Sequence, residues 1–229
     1  MDTVGRHIAS PGDGLDGNTS AAERAYRVVR NGILNGAYPA NTMLGEETLA
    51  TEIGVSRTPV RSALARLQEE GWIVIYPKRG ALVRGLSERA IGDLQDARLI
   101  LESAGASRAN AAVRDALTDR LHDSIAAQRA AFRDRDVRRF IELTIGYHRA
   151  FVEAAGNDIL LELNDRLADR QRFLLFSKGE HLLARCDDII TEHETLVEHL
   201  RTGNATAFTE ALRKHLDDHY VPHSPAAAP

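Results

Sequence analysis

Three neighbouring residues, Arg57, Thr58 and Arg61, carry side chains that proteins use to read DNA. An arginine can donate two hydrogen bonds to O6 and N7 of a guanine in the major groove, and a threonine can reach a phosphate or a base edge. All three follow Ser56, at the start of an apolar helical pattern. We therefore predict a helix whose leading end, Ser56 included, contacts the major groove. The alternative is that both arginines are ordinary solvated helix residues.

A short basic loop, Pro77-Lys78-Arg79-Gly80, lies between two β-prone runs at residues 71–75 and 81–83. This arrangement predicts a β-hairpin with its charge at the tip, where Lys78 and Arg79 would face phosphates. Residues 21–86 hold nine Lys/Arg against six Asp/Glu, whereas residues 87–229 hold nineteen against twenty-four. The net charge of the chain is −4. Binding to DNA depends on the local field, so this total does not exclude it.

Two short helices are needed to position these basic residues. Apolar residues are spaced to lie on one side of two helices that meet near Gly54, namely Leu49, Ile53, Val55, Val60, Leu64 and Leu67. Ser56 can cap the second helix with its side chain, and Pro59 is tolerated in the first turn of that helix. Together with the hairpin, this pattern predicts a winged helix-turn-helix.

Three histidines, His148, His193 and His215, interrupt apolar stripes on separate predicted helices and would therefore point inward. A single inward histidine is more often a hydrogen-bonded core residue than a ligand. Three of them could converge on one centre, where neutral imidazoles suit zinc, nickel or a similar divalent ion. Without an ion, the same imidazoles could hold an anionic effector directly.

Two further polar residues, Arg98 and Gln171, also lie on inward stripes. A buried arginine is costly without a partner, and the carboxylate of an effector could supply one. The alternative is an internal salt bridge with Glu102, which lies one helical turn further along. Gln171 either lines the same pocket or is a satisfied core amide.

Beyond residue 86 the chain lacks strand alternation and is divided by breaks that leave about six helices. The breaks fall at Arg114-Asp115, Arg135-Asp136, Gly156-Asn157-Asp158, Lys178-Gly179 and Gly203-Asn204. Apolar stripes include Ile91, Leu94 and Leu101, and further along Leu160, Leu163, Leu167 and Leu174. The predicted fold is therefore mainly α, with a winged helix-turn-helix at 21–86 and an all-α bundle at 87–221. Composition predicts disorder in residues 1–20 and 222–229.

The sequence lacks the signals that are typical of several other classes of protein. No apolar run is long enough for a membrane helix and no hydrophobic signal core begins the sequence, so we expect a cytoplasmic protein. The single cysteine, Cys186, is expected to pack in the core. Metalloprotease, nucleophile-elbow and phosphate-loop motifs are missing, so we expect no enzyme. Two alternatives are a metal-dependent hydrolase fused to a DNA-binding head and an architectural DNA-binding protein whose bundle only dimerises.

The segment Gly54-Val55-Ser56-Arg57-Thr58-Pro59-Val60-Arg61, continuing through Leu64, Leu67, Gly71, Trp72 and the loop 77–80, resembles the GntR family of bacterial transcriptional regulators. The resemblance implies DNA contacts by Arg57, Thr58, Arg61 and the wing-tip Gly80. Some relatives have an additional arginine early in the first helix of the motif, where this chain has Glu46-Glu47. The resemblance further implies a homodimer on a short palindromic operator, most often as a repressor.

The bundle resembles the FCD effector-binding domain of the FadR-like branch of that family, in its shorter, VanR-like form. Many members of this branch hold a divalent metal with three histidines, which match His148, His193 and His215, plus an acidic or amide residue one turn before the first. Thr144 occupies that fourth position here, and its neutral hydroxyl is a poor ligand. An ion held by three histidines would keep open positions for an effector carboxylate, with Thr144 beside it.

Overall fold

The computed structural model describes residues 19–218, apart from the side chains at positions 180, 181 and 218. The predicted tail at 222–229 lies outside this range. So does the predicted disordered segment at 1–20, except for its last two residues, Thr19 and Ser20.

The N-terminal part, which we call the head, contains three helices and a small antiparallel sheet. Its elements are α1 (Ala21–Leu34), β1 (Met43–Leu44), α2 (Glu46–Ile53), α3 (Arg57–Glu69), β2 (Ile73–Tyr76) and β3 (Gly80–Val83). The strands lie in the order β1-β3-β2, with Leu44 opposite Ala81 and Tyr76 opposite Gly80. Strand β1 was not predicted, because a strand of two residues is too short to show alternation.

The apolar pattern of α2 and α3 is used as predicted, since Leu49, Leu64 and Leu67 are fully buried in the head core. Gly54 ends α2 in a left-handed conformation with φ of 71°, and its N–H donates to the carbonyl of Ala50. This conformation favours glycine and turns the chain into α3. The predicted cap is wrong in one respect: Ser56 occupies the N-cap position of α3, but its side chain makes no capping hydrogen bond.

The wing turn joins β2 to β3 and depends on a glycine. The N–H of Arg79 donates to the carbonyl of Tyr76, and Lys78 adopts a φ of 63°. Gly80 has a φ of 117°, and a Cβ atom at this position would lie 2.4 Å from the carbonyl oxygen of Leu44. Any larger residue at position 80 would therefore push β1 away from β3.

The C-terminal part, which we call the bundle, contains seven helices among the described residues, against about six predicted. They are α4 (Glu88–Arg108), α5 (Ala111–Arg133), α6 (Val137–Glu153), α7 (Asp158–Lys178), α8 (Glu180–Ala184), α9 (Cys186–Arg201) and α10 (Ala205–Asp218). The predicted break at Arg114-Asp115 is wrong, because α5 begins at Ala111. Asn110 caps this helix by accepting from the N–H of Val113. The other four predicted breaks fall at helix ends or between helices.

The apolar stripe predicted for α7 is also partly wrong. Leu163 is 45% exposed and its neighbour Ile159 is 66% exposed. The buried side of α7 instead includes Asn164, Gln171 and Leu174. Leucine spacing alone therefore misjudged which side of this helix faces the bundle.

The head and the bundle meet along α7. Phe173 of α7 is buried in the head core and contacts Trp72 with a ring-centroid distance of 5.8 Å. An ion pair also joins Arg30 of α1 to Asp169 of α7. The same helix packs against α4 and α6 of the bundle. A displacement of α7 would therefore be transmitted directly to the head.

Candidate functional site

The predicted DNA-contacting residues of the helix lie together on the surface at the leading end of α3. Ser56, Arg57, Thr58 and Arg61 are all exposed, while Val60 between them is fully buried and fixes the helix to the head core. This geometry leaves the polar side of α3 free to enter the major groove of DNA. Their contacts with DNA remain a prediction.

The predicted wing residues are placed at the tip of the hairpin. Lys78 and Arg79 are exposed in the turn, and Gly80 is the first residue of β3. A wing with two cations at its tip can reach a phosphate backbone flanking the groove that receives α3.

One acidic residue contacts the predicted reading arginines. Oε2 of Glu46, in the first turn of α2, accepts from Nη2 of Arg57 at 3.2 Å and from Nε of Arg61 at 2.7 Å. The hydrogen bond from Arg61 holds the pKa of Glu46 below its ordinary value, and Arg57 adds to this effect. This contact was not predicted, because the sequence shows Glu46 only as part of the acidic pair Glu46-Glu47.

In the bundle, the three predicted histidines come together. His148 of α6, His193 of α9 and His215 of α10 are all at least 98% buried, and each offers a ring nitrogen within 4.8 Å of the other two. Nε2 of His148 lies 3.1 Å from Nε2 of His215. The predicted convergence of these side chains on one centre is confirmed.

The Nδ1 atom of each histidine contacts a polar side chain from the surrounding helices. The partners are Glu102 for His148 at 2.7 Å, Gln128 for His193 at 2.8 Å and Glu192 for His215 at 2.6 Å. Ionised carboxylates only accept hydrogen bonds, so they favour imidazoles that carry their proton on Nδ1. Such partners are typical of histidines that ligate metals, because they orient the ring and raise its basicity.

The charge state of this centre follows from burial and from Arg98. Burial opposes ionisation of Glu102, but Arg98 and His148 outweigh it and hold the pKa of Glu102 below its ordinary value. Burial lowers the pKa of His148, and Arg98 lowers it further, against the opposite influence of Glu102. The arrangement therefore combines an ionised carboxylate with a neutral imidazole.

This donor set fits a divalent metal ion. A neutral imidazole that donates from Nδ1 carries its lone pair on Nε2. The Nε2 atoms of His148 and His215 face each other at 3.1 Å, away from water. Two rings that both carry their proton on Nδ1 would direct their lone pairs at each other here. They repel unless a proton or a cation lies between them. Three imidazole nitrogens without a thiolate are a ligand set used for zinc and nickel.

Aromatic packing helps to hold the centre rigid. The ring of Tyr147 stacks on His193 with a centroid distance of 4.1 Å, and its hydroxyl donates to the backbone carbonyl of His193.

Cys186 lies in the bundle core as predicted, and burial raises the pKa of its thiol to about 11. Its thiol therefore stays protonated at neutral pH.

Arg98 makes the predicted salt bridge but keeps one terminal nitrogen without a partner. Its Nε donates to Oε1 of Glu102 at 3.0 Å, while its Nη2 is buried and has no hydrogen-bond partner among the described residues. The hydroxyl of Thr144 is likewise buried and unpartnered within the described part of the chain. Arg98 thus forms the internal salt bridge with Glu102 and keeps one buried nitrogen for a further ligand.

Helix register brings Arg98 and Thr144 to the same level of the bundle. Glu102 of α4 contacts His148 of α6, and the close approach of Gly105 to Phe151 continues this pairing one turn on. The same offset places Arg98 opposite Thr144, one turn before the histidine centre. Gln171 is buried in α7, which packs against α4 and α6.

Comparison with known proteins identifies the class. The FCD domain family matches residues 93–218, and the family described as bacterial regulatory proteins, gntR family, matches residues 21–83. The chain therefore belongs to the GntR family of transcriptional regulators with an FCD domain. It is a ligand-responsive, DNA-binding regulator. The members of this family are transcriptional regulators and not enzymes.

Individual relatives span most of the chain. A gluconate operon transcriptional repressor from Bacillus licheniformis is 28% identical over 206 residues, covering 87% of this chain and 84% of the relative. The repressor RspR from Escherichia coli K12 is 26% identical, covering 86% of each chain. An HTH-type regulator encoded in the TAR-I ttuE-ttuC' intergenic region of Agrobacterium vitis is 34% identical over 158 residues, covering 66% of this chain and 92% of the relative.

Solved structures agree on the fold. A GntR regulator from Rhodococcus sp. RHA1 superposes with a TM-score of 0.72 at 22% identity, covering 87% of this chain and 95% of that one. McbR/YncC from E. coli superposes with a TM-score of 0.67 at 18% identity, with the same coverages. None of the helices between residues 19 and 218 has the length and apolar character that crossing a membrane requires.

Proposed function

We propose that this regulator represses transcription by binding a short palindromic operator as a homodimer, and that a small carboxylate effector in the bundle modulates that binding. Residues 21–86 form the DNA-binding domain and residues 87–221 the effector-binding and dimerisation domain. A repressor that binds chromosomal DNA would act in the bacterial cytoplasm. The observation that carries the effector half is the buried centre in which three imidazoles converge beside an unpartnered arginine nitrogen.

The DNA half of the proposal assigns the groove contacts to Ser56, Arg57, Thr58 and Arg61. Lys78, Arg79 and Gly80 of the wing approach the phosphate backbone. Exposure of the helix residues and their attachment to a rigid core support this assignment. Phosphate contacts position the protein, while the arginines supply the base preference.

The effector half assigns a zinc or nickel ion to His148, His193 and His215. When bound, the ion would act as a Lewis acid with open positions for an oxygen ligand. None of these ligands carries a negative charge, since the three imidazoles are neutral and Thr144 occupies the position of the acidic or amide residue that many relatives use. An anion is therefore the favoured further ligand, with Arg98 and the Thr144 hydroxyl as its hydrogen-bond donors.

Exposed apolar side chains support the homodimer. Ile100 of α4 is 68% exposed, and Ile159 and Leu163 of α7 are 66% and 45% exposed. These two helices pack against each other. A second copy that covers these side chains would remove apolar surface from water and fix the separation of the two heads.

The metal assignment can be tested on the purified full chain after treatment with a chelator. Zinc added at about a hundredfold excess over its Kd should stabilise the chain by about 2.7 kcal/mol, measured as an increase in melting temperature. His193→Ala should lose this response. The matched control is His199→Ala on the same helix, which should keep it, because residue 199 lies six positions further along and on another side of α9. Equal responses in all three proteins would contradict the assignment.

The DNA and effector assignments need a bound sequence, which selection from a library of randomised duplex DNA can provide. Arg57→Ala should lose the selected sequence preference while the chain stays folded and dimeric.

The effector assignment is tested next, by assaying DNA binding of the zinc-loaded protein with a panel of small carboxylates. Gluconate comes first in that panel, because one relative is named a repressor of the gluconate operon. A tenfold change in DNA affinity corresponds to a coupling of about 1.4 kcal/mol. No change with any carboxylate would favour the architectural alternative.

A further inference from the structure

A single carboxylate bridges the two arginines at the leading end of α3. Oε2 of Glu46 accepts from Nη2 of Arg57 at 3.2 Å and from Nε of Arg61 at 2.7 Å. Glu46 comes from a different helix, α2, so this contact is set by the packing of α2 on α3. It is not a consequence of spacing along one helix.

Folding stability does not explain why Glu46, Arg57 and Arg61 lie together. The side chains of Arg57 and Arg61 are 56% and 61% exposed, and that of Glu46 is 25% exposed. Ion pairs with this exposure contribute little to folding because water screens them. A negative charge beside DNA-contacting arginines also opposes the approach of phosphates. The position of Glu46 between the two arginines is therefore better explained by an effect on the sequence specificity of DNA binding.

The bridge limits how the two arginines can move. Each arginine has a flexible stem, and ordering it on a DNA base costs side-chain entropy. Arg61 uses its Nε for Glu46, so both terminal nitrogens stay available for O6 and N7 of a guanine. Arg57 uses one terminal nitrogen and keeps Nε and Nη1. The shared carboxylate thus fixes the guanidinium groups without using up their donor capacity.

We propose that Glu46 is a positioning residue that sets the sequence specificity of this regulator by holding Arg57 and Arg61 in one arrangement before DNA arrives. The proposal rests on the proposed assignment of both arginines as base-reading residues. Glu46 increases the difference in affinity between the preferred sequence and other sequences. It does so while lowering the affinity for DNA in general.

Glu47 provides a matched control within the same turn. It carries the same charge at the next position of α2, and its side chain is exposed. Among the described residues, no ion pair joins Glu47 to either arginine. Replacing Glu47 therefore changes the charge of the head equally but leaves the bridge in place.

The test compares the full-length wild type with Glu46→Ala, Glu46→Gln and Glu47→Ala. Each protein selects sequences from a randomised duplex library, and its Kd is then measured for the wild-type selected duplex and for a scrambled duplex of the same composition. The Kd ratio is the Kd for the scrambled duplex divided by the Kd for the selected duplex, so a larger ratio means higher specificity. Glu46→Ala should reduce this ratio by about tenfold, which is the effect of losing one good base contact. Its affinity for the scrambled duplex should stay equal or rise. Glu47→Ala should keep the wild-type ratio.

Glu46→Gln keeps an acceptor oxygen without the charge, so it should fall between wild type and Glu46→Ala. It also serves as the decisive variant if Glu46→Ala does not fold. An unchanged Kd ratio in the folded Glu46 variants would overturn the proposal, since Glu46 would then act only through net charge. A higher ratio would also overturn it, because Glu46 would be competing with DNA for the arginines. A wild type that selects no sequence would instead refute the proposed DNA contacts themselves.

Discussion

Arginine–glutamate pairs occur in the head and in the bundle, but their surroundings differ. In the head, the side chains of Arg57 and Arg61 are more than half exposed around Glu46. In the bundle, Arg98 is 7% exposed and Glu102 is fully buried. Water can solvate the first group whenever its contacts break, whereas the second group has no such alternative.

This difference separates the roles of the two regions. Charges on the head stay in contact with water, so the remaining donors of Arg57 and Arg61 can meet a phosphate or a base at a low desolvation cost. Charges in the bundle are held by Glu102 and His148 in one arrangement, as a site that must discriminate between small ligands requires. Both groups are therefore held in place, but only the group in the bundle depends on contacts that water cannot replace.

The strongest test of this comparison is Glu102→Gln in the metal-free protein. The change keeps the shape of the side chain but leaves the charge of Arg98 buried without a counter-ion. We expect a loss of about 3–5 kcal/mol in the free energy of unfolding, measured by urea denaturation. The double variant Arg98→Met, Glu102→Gln should recover part of this loss because it removes the uncompensated charge. A loss below about 1 kcal/mol would mean that the pair behaves like a surface ion pair.

A second test addresses the junction of the two regions. Phe173 extends from α7 into the head core beside Trp72. Phe173→Ala should cost about 3 kcal/mol, at the lower end for a buried phenylalanine, because the head and bundle can shift to fill part of the cavity. Separate unfolding transitions of head and bundle should then become visible by calorimetry. Arg166→Ala on α7, whose side chain is 72% exposed, is the control and should leave a single transition.

A third test concerns the proposed metal centre at the three histidines. Gln128→Leu removes the amide that contacts Nδ1 of His193 and replaces it with an apolar side chain of similar size. Zinc affinity should fall about 10–100-fold, as for other residues that orient metal-ligating histidines. The measurement is a competition titration against a chromophoric chelator. Unchanged affinity would mean that Tyr147 alone is enough to orient the ring of His193.

Much of the head could be predicted from sequence because its signals are local. The spacing of Leu49, Leu64 and Leu67, the turn at Gly54 and the basic loop before Gly80 each depend on residues close together in the chain. What could not be predicted depends on contacts between elements. The bridge from Glu46 to Arg61 requires the packing of α2 on α3, and no local pattern encodes this distance.

The bundle shows the same limit more clearly. Apolar stripes were sufficient to predict that His148, His193 and His215 point inward, and the convergence is confirmed. Their partners Gln128 and Glu192 were missed, because each is contributed by a helix other than that of the histidine it contacts. Glu192 directly precedes His193 in sequence yet contacts His215. Only the register between helices determines such pairs.

The smallest predicted effect completes the comparison of the two arginine–glutamate groups. Glu46→Gln breaks ion pairs at shorter or similar distances to the one that Arg98 makes with Glu102, so distance alone would predict equal losses of stability. Exposure predicts otherwise, because water replaces the lost carboxylate around Arg57 and Arg61. We expect Glu46→Gln to change the free energy of unfolding by less than about 1 kcal/mol in urea denaturation. A loss as large as that of Glu102→Gln would show that these exposed pairs behave like a buried ion pair, and exposure would then not explain the difference between the two groups.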